Sequence, residues 1–224
     1  MKTAGYQKGE YRFTILELLV VIAIIMILAS MLLPALRGAK GNARTIECAG
    51  NLQNLGKACF MYAGDNSEYW PQYAAGVNPS LVWSEAIASY LVKEEVTFAK
   101  FWTSTNKKWY IFKCPSQSSS FIIDWNIKYG LNGSATQDGY TKPLKIYTVK
   151  KPSNAMLISD TSDLQTWTYL SWYARYNGQY IDTPLYGALS DRHNNGLNIV
   201  FCDGHVNKHK TTDVFYNSNF YNPQ

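Results

Sequence analysis

The sequence lacks the motifs that mark several common functional classes. It contains no CxxC pair, no histidine at zinc-finger spacing, no glycine-rich phosphate loop and no nucleophile elbow. Zinc-finger, nucleotide-binding and serine-hydrolase functions therefore have no motif to support them. No internal repeat or long low-complexity linker divides the chain, and its 224 residues fit one sizeable domain plus an anchor.

Charge is also sparse. Charged residues make up 17% of the chain, and the formal net charge of +5 is dispersed rather than gathered in a block of Lys and Arg. Because a nucleic-acid groove needs a dense basic patch, we predict no nucleic-acid partner. Aromatic residues are abundant instead, with 17 Tyr and 7 Trp. Their partly polar side chains suit β surfaces and the interfaces of exported domains.

The chain has four cysteines, Cys48, Cys59, Cys114 and Cys202, which can form disulfides in an exported domain. Cys48 and Cys59 lie eleven residues apart on a predicted helix, so they share a face but are too distant to bond each other. A bridge would join one of them to Cys114 or Cys202, and Cys48–Cys114 is the pair that we name. The alternative is four buried free thiols. We predict no metal site and no cofactor.

The N-terminal region contains a long apolar run. Residues 1–12 form a basic leader that includes Lys2, Lys8 and Arg12, and residues 15–33 are almost wholly apolar. That run is close to the roughly 20 residues that cross a hydrocarbon core. Positive charge before the run predicts that the N-terminus stays in the cytoplasm and that the rest is translocated.

Three other interpretations of the apolar run compete with this one. A cleaved secretory signal would have a shorter core of about 7 to 15 residues with a small-residue cleavage site after it. A buried helix of a soluble protein would not be apolar on every face over about five turns. A plain single-pass anchor is the main rival. Glu17 argues against it, because a carboxylate inside an apolar span costs about 2–3 kcal/mol and usually has a partner.

The segment FTILELL at residues 13–19 resembles the type IV prepilin signature. The resemblance implies that a prepilin peptidase cuts between Arg12 and Phe13 and that Phe13 is then N-methylated. It also implies that Glu17 pairs with the N-terminal amine of a neighbouring subunit. Arg12 stands where the family usually has Gly. Pro34 falls where these pilins often carry a proline, and it should kink or locally melt the helix.

Two further segments are similar to a large bacterial branch of the same family. CAGNLQNLG at residues 48–56 resembles its "C..NL.Q.G" segment, with Asn54 at the Gln position, and His193 followed after nine residues by Asp203-Gly204 resembles its H-X9-DG element. The resemblance implies a non-enzymatic pilin or pseudopilin of a type IV pilus or type II secretion filament. Its partners would be the peptidase/methyltransferase, copies of itself or other pilins, and inner-membrane lipid. The head would lie outside the cytoplasm, with a cell-surface filament as one destination.

We predict four segments: a leader at 1–12, a transmembrane and assembly helix at 13–34, an amphipathic continuation at 35–64 and a head at 65–224. The continuation carries apolar residues at three- and four-residue steps: Leu36, Ala39, Ala43, Ile46, Leu52, Leu55 and Tyr62. Gly64-Asp65-Asn66 should end this helix. The fold class is α+β, with the long N-terminal helix packed on an antiparallel sheet in a pilin-like head.

Within the head, residues 81–94 predict a short helix that is capped near Ser80. Short aromatic or β-branched runs predict strands at residues 109–113, 121–127, 144–149, 155–159 and 166–174. Asn195-Gly196 and Asp203-Gly204 predict two type I′ turns, and hence a three-stranded meander of residues 188–194, 197–202 and 205–210.

This meander would place His193 and Asp203 at opposite ends of the central strand, about 15 Å apart. A metal or acid–base site shared by the two is therefore excluded, with or without His205. We predict that Asp203 serves the turn and that His193 bonds to nearby backbone or Asn groups. A catalytic triad that includes Ser190 lacks an oxyanion motif. Three aspartates are calcium candidates by composition alone: Asp160, Asp163 and Asp182.

One alternative function is a membrane-anchored or filament-tip module that binds carbohydrate or another surface polymer through its Tyr/Trp-rich surface. Exposed, coplanar rings at Trp167 and Trp172 would support this hypothesis, and burial of both rings would count against it.

Overall fold

The computed structural model describes residues 14–72, 83–92, 111–116, 129–132, 137–138, 142–161 and 192–215. The chain divides into two compact units, residues 1–41 and residues 42–224. The first unit holds the apolar part of the long helix. The second holds the end of that helix and the sheet.

Helix α1 covers Ile15–Asp65, 51 residues, so the two predicted helical segments form one element. Pro34 lies inside the helix without interrupting it, so the predicted local melting is wrong, and the kink stays a prediction. The helix ends where the sequence predicted. The Asn66 backbone N–H donates to the Tyr62 carbonyl at 3.0 Å, and the Asn66 side-chain amide donates to the same oxygen at 2.8 Å.

The second part of α1 buries one face, formed by Cys48, Leu52, Leu55, Gly56, Ala58, Cys59 and Ala63. Leu52 and Leu55 were predicted on the apolar stripe, but Ile46 is 73% exposed. Leu52 follows Ile46 by six positions, which at 3.6 residues per turn is one full turn plus about 240° of rotation. The two side chains therefore point to different sides of the helix. The predicted stripe therefore mixed two faces of the helix.

The head contains a four-stranded antiparallel sheet with the spatial order β1-β4-β5-β6. Its strands are β1 Tyr129–Leu131, β4 Met156–Asp160, β5 Gly196–Phe201 and β6 Val206–Lys210. Two short strands, β2 Gln137–Asp138 and β3 Lys142–Pro143, pair separately. Together with α1 this gives the α+β, pilin-like arrangement that the sequence predicted.

The sheet separates two apolar cores. The larger core contains Ile158 and Val200 together with the buried face of α1 and helix α2, Trp83–Leu91. The smaller core contains Met156 and Phe201, and Val214 from the short helix α3, Thr211–Phe215, also belongs to it. Val200 approaches α1 so closely that a Cβ on Gly56 would lie 2.8 Å from its Cγ2 atom.

Some predicted strands are not strands. Ile111 and Phe112 form a 3₁₀ turn, as does Ile146–Thr148. The predicted 144–149 strand keeps a single antiparallel bridge, between Lys145 and Tyr69, before the chain turns. The strand predicted at residues 155–159 is confirmed as β4, shifted by one residue. The strands predicted at 121–127 and 166–174, like Ser80, Trp167 and Trp172, lie outside the described residues.

The C-terminal hairpin β5–β6 is confirmed, but its turns differ from the prediction. Asn194 and Asn195 carry the positive φ angles, 52° and 57°, so the first turn lies one residue earlier than Asn195-Gly196. Arg192 makes a single parallel bridge to Gly196. The described end of the predicted 188–194 strand is therefore not an antiparallel strand of the meander. At the second turn Gly204 has a φ of 90° and Asp203 does not have a positive φ. A type I′ turn needs a positive φ at both central residues, so this turn is not type I′. The pattern matches a type I turn followed by a β-bulge at the glycine.

Candidate functional site

The apolar segment of α1 is exposed along its whole length. Between Ile15 and Leu33 the large apolar side chains are 42% to 85% exposed. By length and composition α1 can cross a membrane, and none of the apolar window is buried within the chain. A signal sequence passes the same length and composition test, but a core helix would be buried. This surface therefore needs lipid or other protein chains to cover it.

Glu17 is hydrogen-bonded to the start of its own helix. Its Oε2 accepts from the Thr14 backbone N–H at 2.9 Å and from the Thr14 hydroxyl at 2.8 Å, while the Glu17 N–H donates to Thr14 Oγ1 at 3.2 Å. This reciprocal arrangement is a capping box, whose sequence signature is Thr-x-x-Glu. Glu17 was predicted to pair only with a neighbouring subunit, although this local signature is visible in the sequence. Arg12 and Phe13 lie outside the described residues.

His193 belongs to a buried cluster with Cys48, Cys114 and Asp160, whose nitrogen, sulfur and oxygen atoms all lie within 4.8 Å of one another. Each residue comes from a different part of the fold. Cys48 lies on α1, Cys114 follows the 3₁₀ turn, and Asp160 ends β4. His193 precedes the turn into β5. Tertiary packing thus brings together four chemically reactive side chains that are widely separated along the chain.

The two ring nitrogens of His193 face different surroundings. Nε2 lies 3.3 Å from Cys114 Sγ and 3.4 Å from Asp160 Oδ2. Nδ1 lies 3.2 Å from Thr45 Oγ1 and 3.5 Å from Ser116 Oγ. The prediction of local bonds holds for the His193 backbone N–H, which donates to the Gly196 carbonyl at 3.2 Å, and is wrong for the ring. Its ring instead joins segments that are distant in sequence, because the sheet register places residue 193 against α1 and the end of β4.

Asp160 is fully buried and only half satisfied. Its Oδ1 accepts from the Asn198 backbone N–H at 2.8 Å, whereas its Oδ2 has no hydrogen-bond partner. Burial raises the pKa of Asp160 to about 7. Between the two thiols, a hydrogen bond from Cys48 lowers the pKa of Cys114, and the same contact raises the pKa of Cys48. Oδ2 faces His193 Nε2 at 3.4 Å. A buried carboxylate oxygen without a hydrogen bond costs about 1–3 kcal/mol, more when it is charged, so it marks a place where a positive group is expected.

The other two residues of the H-X9-DG element serve the β5–β6 turn. Asp203 Oδ1 accepts from the His205 backbone N–H at 3.1 Å and lies 2.6 Å from His205 Nδ1. A Cβ on Gly204 would lie 3.3 Å from the Phe60 ring, so both its positive φ and this approach favour glycine. The predicted turn role of Asp203 agrees with these contacts. The element therefore has two separate roles, with His193 in the cluster and Asp203-Gly204 in the turn.

The cysteines group in two pairs. Cys48 and Cys114 share the cluster. Cys59 lies near Cys202: burial raises the pKa of the Cys59 thiol most, and Cys202 raises it further. All four are buried free thiols. The Cys48–Cys114 disulfide stays a prediction. Asp160 was named only as a calcium candidate by composition, and no spacing along the sequence indicated that it would meet His193 and the two cysteines.

The long helix and the antiparallel sheet form an α+β, pilin-like arrangement. Over 68 residues the chain is 39% identical to type II secretion system core protein G of Pectobacterium carotovorum, covering 29% of this chain and 44% of that protein. Over 69 residues it is 41% identical to the type IV wide pilus major component PilA4 of Thermus thermophilus, covering 31% of this chain and 53% of that protein.

A third relative, the core protein G of Klebsiella michiganensis, is 44% identical over 63 residues, 28% of this chain and 44% of that protein. The chain thus spans about half the length of the curated relatives it matches. No family model matches the chain, and no solved structure matches it. The similarity relates part of this chain to pilins and pseudopilins.

Proposed function

We propose that this protein is a structural subunit, a pilin or pseudopilin, of a type IV pilus-like or type II secretion filament. The observation that carries this proposal is the apolar helix segment from Ile15 to Leu33, which none of the described residues buries. A surface of this kind is stable only in lipid or among other helices. The similarity to a core secretion protein and to a pilus component supports a bundle of helices, rather than lipid, as the final environment of this segment.

Before assembly the subunit is a single-pass protein of the bacterial inner membrane, with its N-terminus in the cytoplasm and its head outside. The basic leader favours this orientation. The prepilin peptidase then cleaves between Arg12 and Phe13 and methylates the new amine. Pro34 provides the kink in the helix that follows.

Assembly transfers the helix from lipid to a bundle of identical or related helices. Because lipid tails and apolar side chains are similar solvents, this transfer gains little hydrophobic free energy, and packing and polar contacts decide it. Glu17 supplies the polar contact. Both of its bonds from Thr14 end on Oε2, which leaves Oε1 for the amine of a neighbouring subunit. The resulting ion pair would fix the register between subunits. The mechanism is assembly, and it uses no catalytic residue.

The experiment is N-terminal sequencing and intact-mass measurement of the native protein. We expect a start at N-methyl-Phe13, and we expect sheared cell-surface or periplasmic filaments to contain this form. Arg12→Gly, which introduces the family's usual residue, should raise the processed fraction. Protein that keeps Met1 and stays in the membrane fraction would instead support a plain single-pass anchor.

A further inference from the structure

We propose that Cys48, Cys114, Asp160 and His193 bind one transition-metal dication, and that Zn²⁺ fits the site best. The four side chains are buried and converge from four segments of the head unit. This inference is independent of filament assembly. A head that binds metal could fail to assemble, and a filament could form without metal.

The distances approach those of a tetrahedral site. With zinc–ligand lengths of about 2.3 Å to sulfur and about 2.0–2.2 Å to nitrogen and oxygen, tetrahedral edges are about 3.6 Å for nitrogen–sulfur and about 3.4 Å for nitrogen–oxygen. The His193 Nε2 atom lies 3.3 Å from Cys114 Sγ and 3.4 Å from Asp160 Oδ2. All four ligand atoms lie within 4.8 Å of one another. These two edges need shifts of a few tenths of an ångström, and an edge at the 4.8 Å limit would have to shorten by about 1 Å for an ion to be bound.

The chemistry of the donors selects the metal. Two sulfurs and one imidazole are soft or borderline ligands that suit Zn²⁺, whereas Ca²⁺ and Mg²⁺ require mainly oxygen ligands. Four protein ligands complete a tetrahedron and leave no position for a reacting water, so the site is structural rather than catalytic. The burial of all four residues agrees with such a closed site.

The groups around the cluster are arranged to orient the ligands. When Nε2 binds the metal, Nδ1 of His193 carries the proton and can donate it to Thr45 Oγ1 at 3.2 Å. Asp160 Oδ1 is fixed by the Asn198 N–H, and the Asn198 side-chain amide donates to the Thr45 carbonyl at 3.0 Å. Such outer contacts set the ring orientation and the tautomer of a metal-bound histidine.

A metal explains a feature that a disulfide does not. A Cys48–Cys114 bond would leave Asp160 Oδ2 as it is in the chain alone, facing His193 Nε2 at 3.4 Å without a hydrogen bond. A bound dication makes that oxygen a ligand. Two thiolates, one carboxylate and one dication sum to a single negative charge. Arg192, whose charge lowers the pKa of both Cys114 and Asp160, lies close enough to offset it.

The test uses the full chain, extracted in detergent and dialysed against metal-free buffer. Elemental analysis should find about one zinc per chain. Replacement with Co²⁺ should give the thiolate-to-metal charge-transfer absorption and the intense visible bands of a tetrahedral site. The cobalt spectrum of the unaltered protein does not depend on any variant folding. Absence of the charge-transfer band would overturn the proposal.

Variants locate the site within the chain. The double variant Cys48→Ser/Cys114→Ser should lose the metal, and Asp160→Asn should weaken binding at least tenfold in competition with a chelator. Cys59→Ser/Cys202→Ser is the matched control, because it removes two equally buried thiols outside the cluster and should keep one metal per chain. Equal metal content in both double variants would refute the assignment. So would a Cys48–Cys114 disulfide found by peptide mapping of protein extracted from membranes.

Discussion

The proposed assembly role of Glu17 can be separated from its role as a helix cap. Glu17→Ala removes both the carboxylate and the bonds to Thr14, so its effect alone is ambiguous. Glu17→Gln is the informative change, because Gln replaces Glu in a capping box and keeps an oxygen acceptor for Thr14 without the charge. Thr14→Ala does the opposite: it removes the N-cap hydroxyl and keeps the carboxylate.

The magnitudes differ enough to separate the two roles. Loss of an N-cap costs about 0.5–2 kcal/mol. Removal of one partner of a buried ion pair costs about 3–5 kcal/mol, which is on the order of 100-fold or more in subunit docking. We therefore expect Glu17→Gln to abolish filaments almost as fully as Glu17→Ala, and Thr14→Ala to keep most of them.

The assay is the yield of sheared filaments, normalised to the membrane pool of the same variant. Membrane insertion should be unchanged in all three variants, since a neutral side chain is no harder to insert than Glu. Wild-type filament yield from Glu17→Gln together with a loss in Thr14→Ala would show that the cap, not the charge, matters for assembly.

The remaining predictions concern the head and use denaturant unfolding of the full chain in detergent, followed by near-UV circular dichroism. Gly56→Ala should destabilise by about 1–3 kcal/mol through overpacking, because its Cβ would meet Val200, whereas Gly50→Ala has open space and should stabilise by up to about 1 kcal/mol. Equal effects would contradict the close approach of α1 to β5. Leu52→Ala should cost about 2–5 kcal/mol, and Ile46→Ala less than about 0.5 kcal/mol. The reverse order would mean that the buried face of α1 is wrongly assigned.

The function depends on two parts of the molecule with different physical requirements. The apolar segment of α1 needs a non-aqueous environment that the part of the chain described by the structure does not provide. The head carries its own two cores and a buried polar cluster. A metal in that cluster would cross-link α1 to the sheet, and in a small exported domain such a link can contribute much of the folding free energy. Metal loading and filament assembly can thus be measured as separate properties.

Features that depend on neighbours along the chain can be predicted from the sequence alone. The long apolar run, the helix stop at Asp65 and the β5–β6 hairpin follow from local composition, periodicity and turn residues. The capping box of Thr14 and Glu17 was equally local and could have been predicted.

Contacts between residues that are distant along the chain depend instead on how the strands and helices pack. An irregularity in the pairing between Met156 and Ile158 puts these residues in different cores, although strict alternation would place them on one face. Asp160 follows Ile158 by two residues and therefore faces α1, where it meets Cys48 and His193. Sequence periodicity does not reveal such a shift in register, because it results from the pairing of two strands and not from either strand alone.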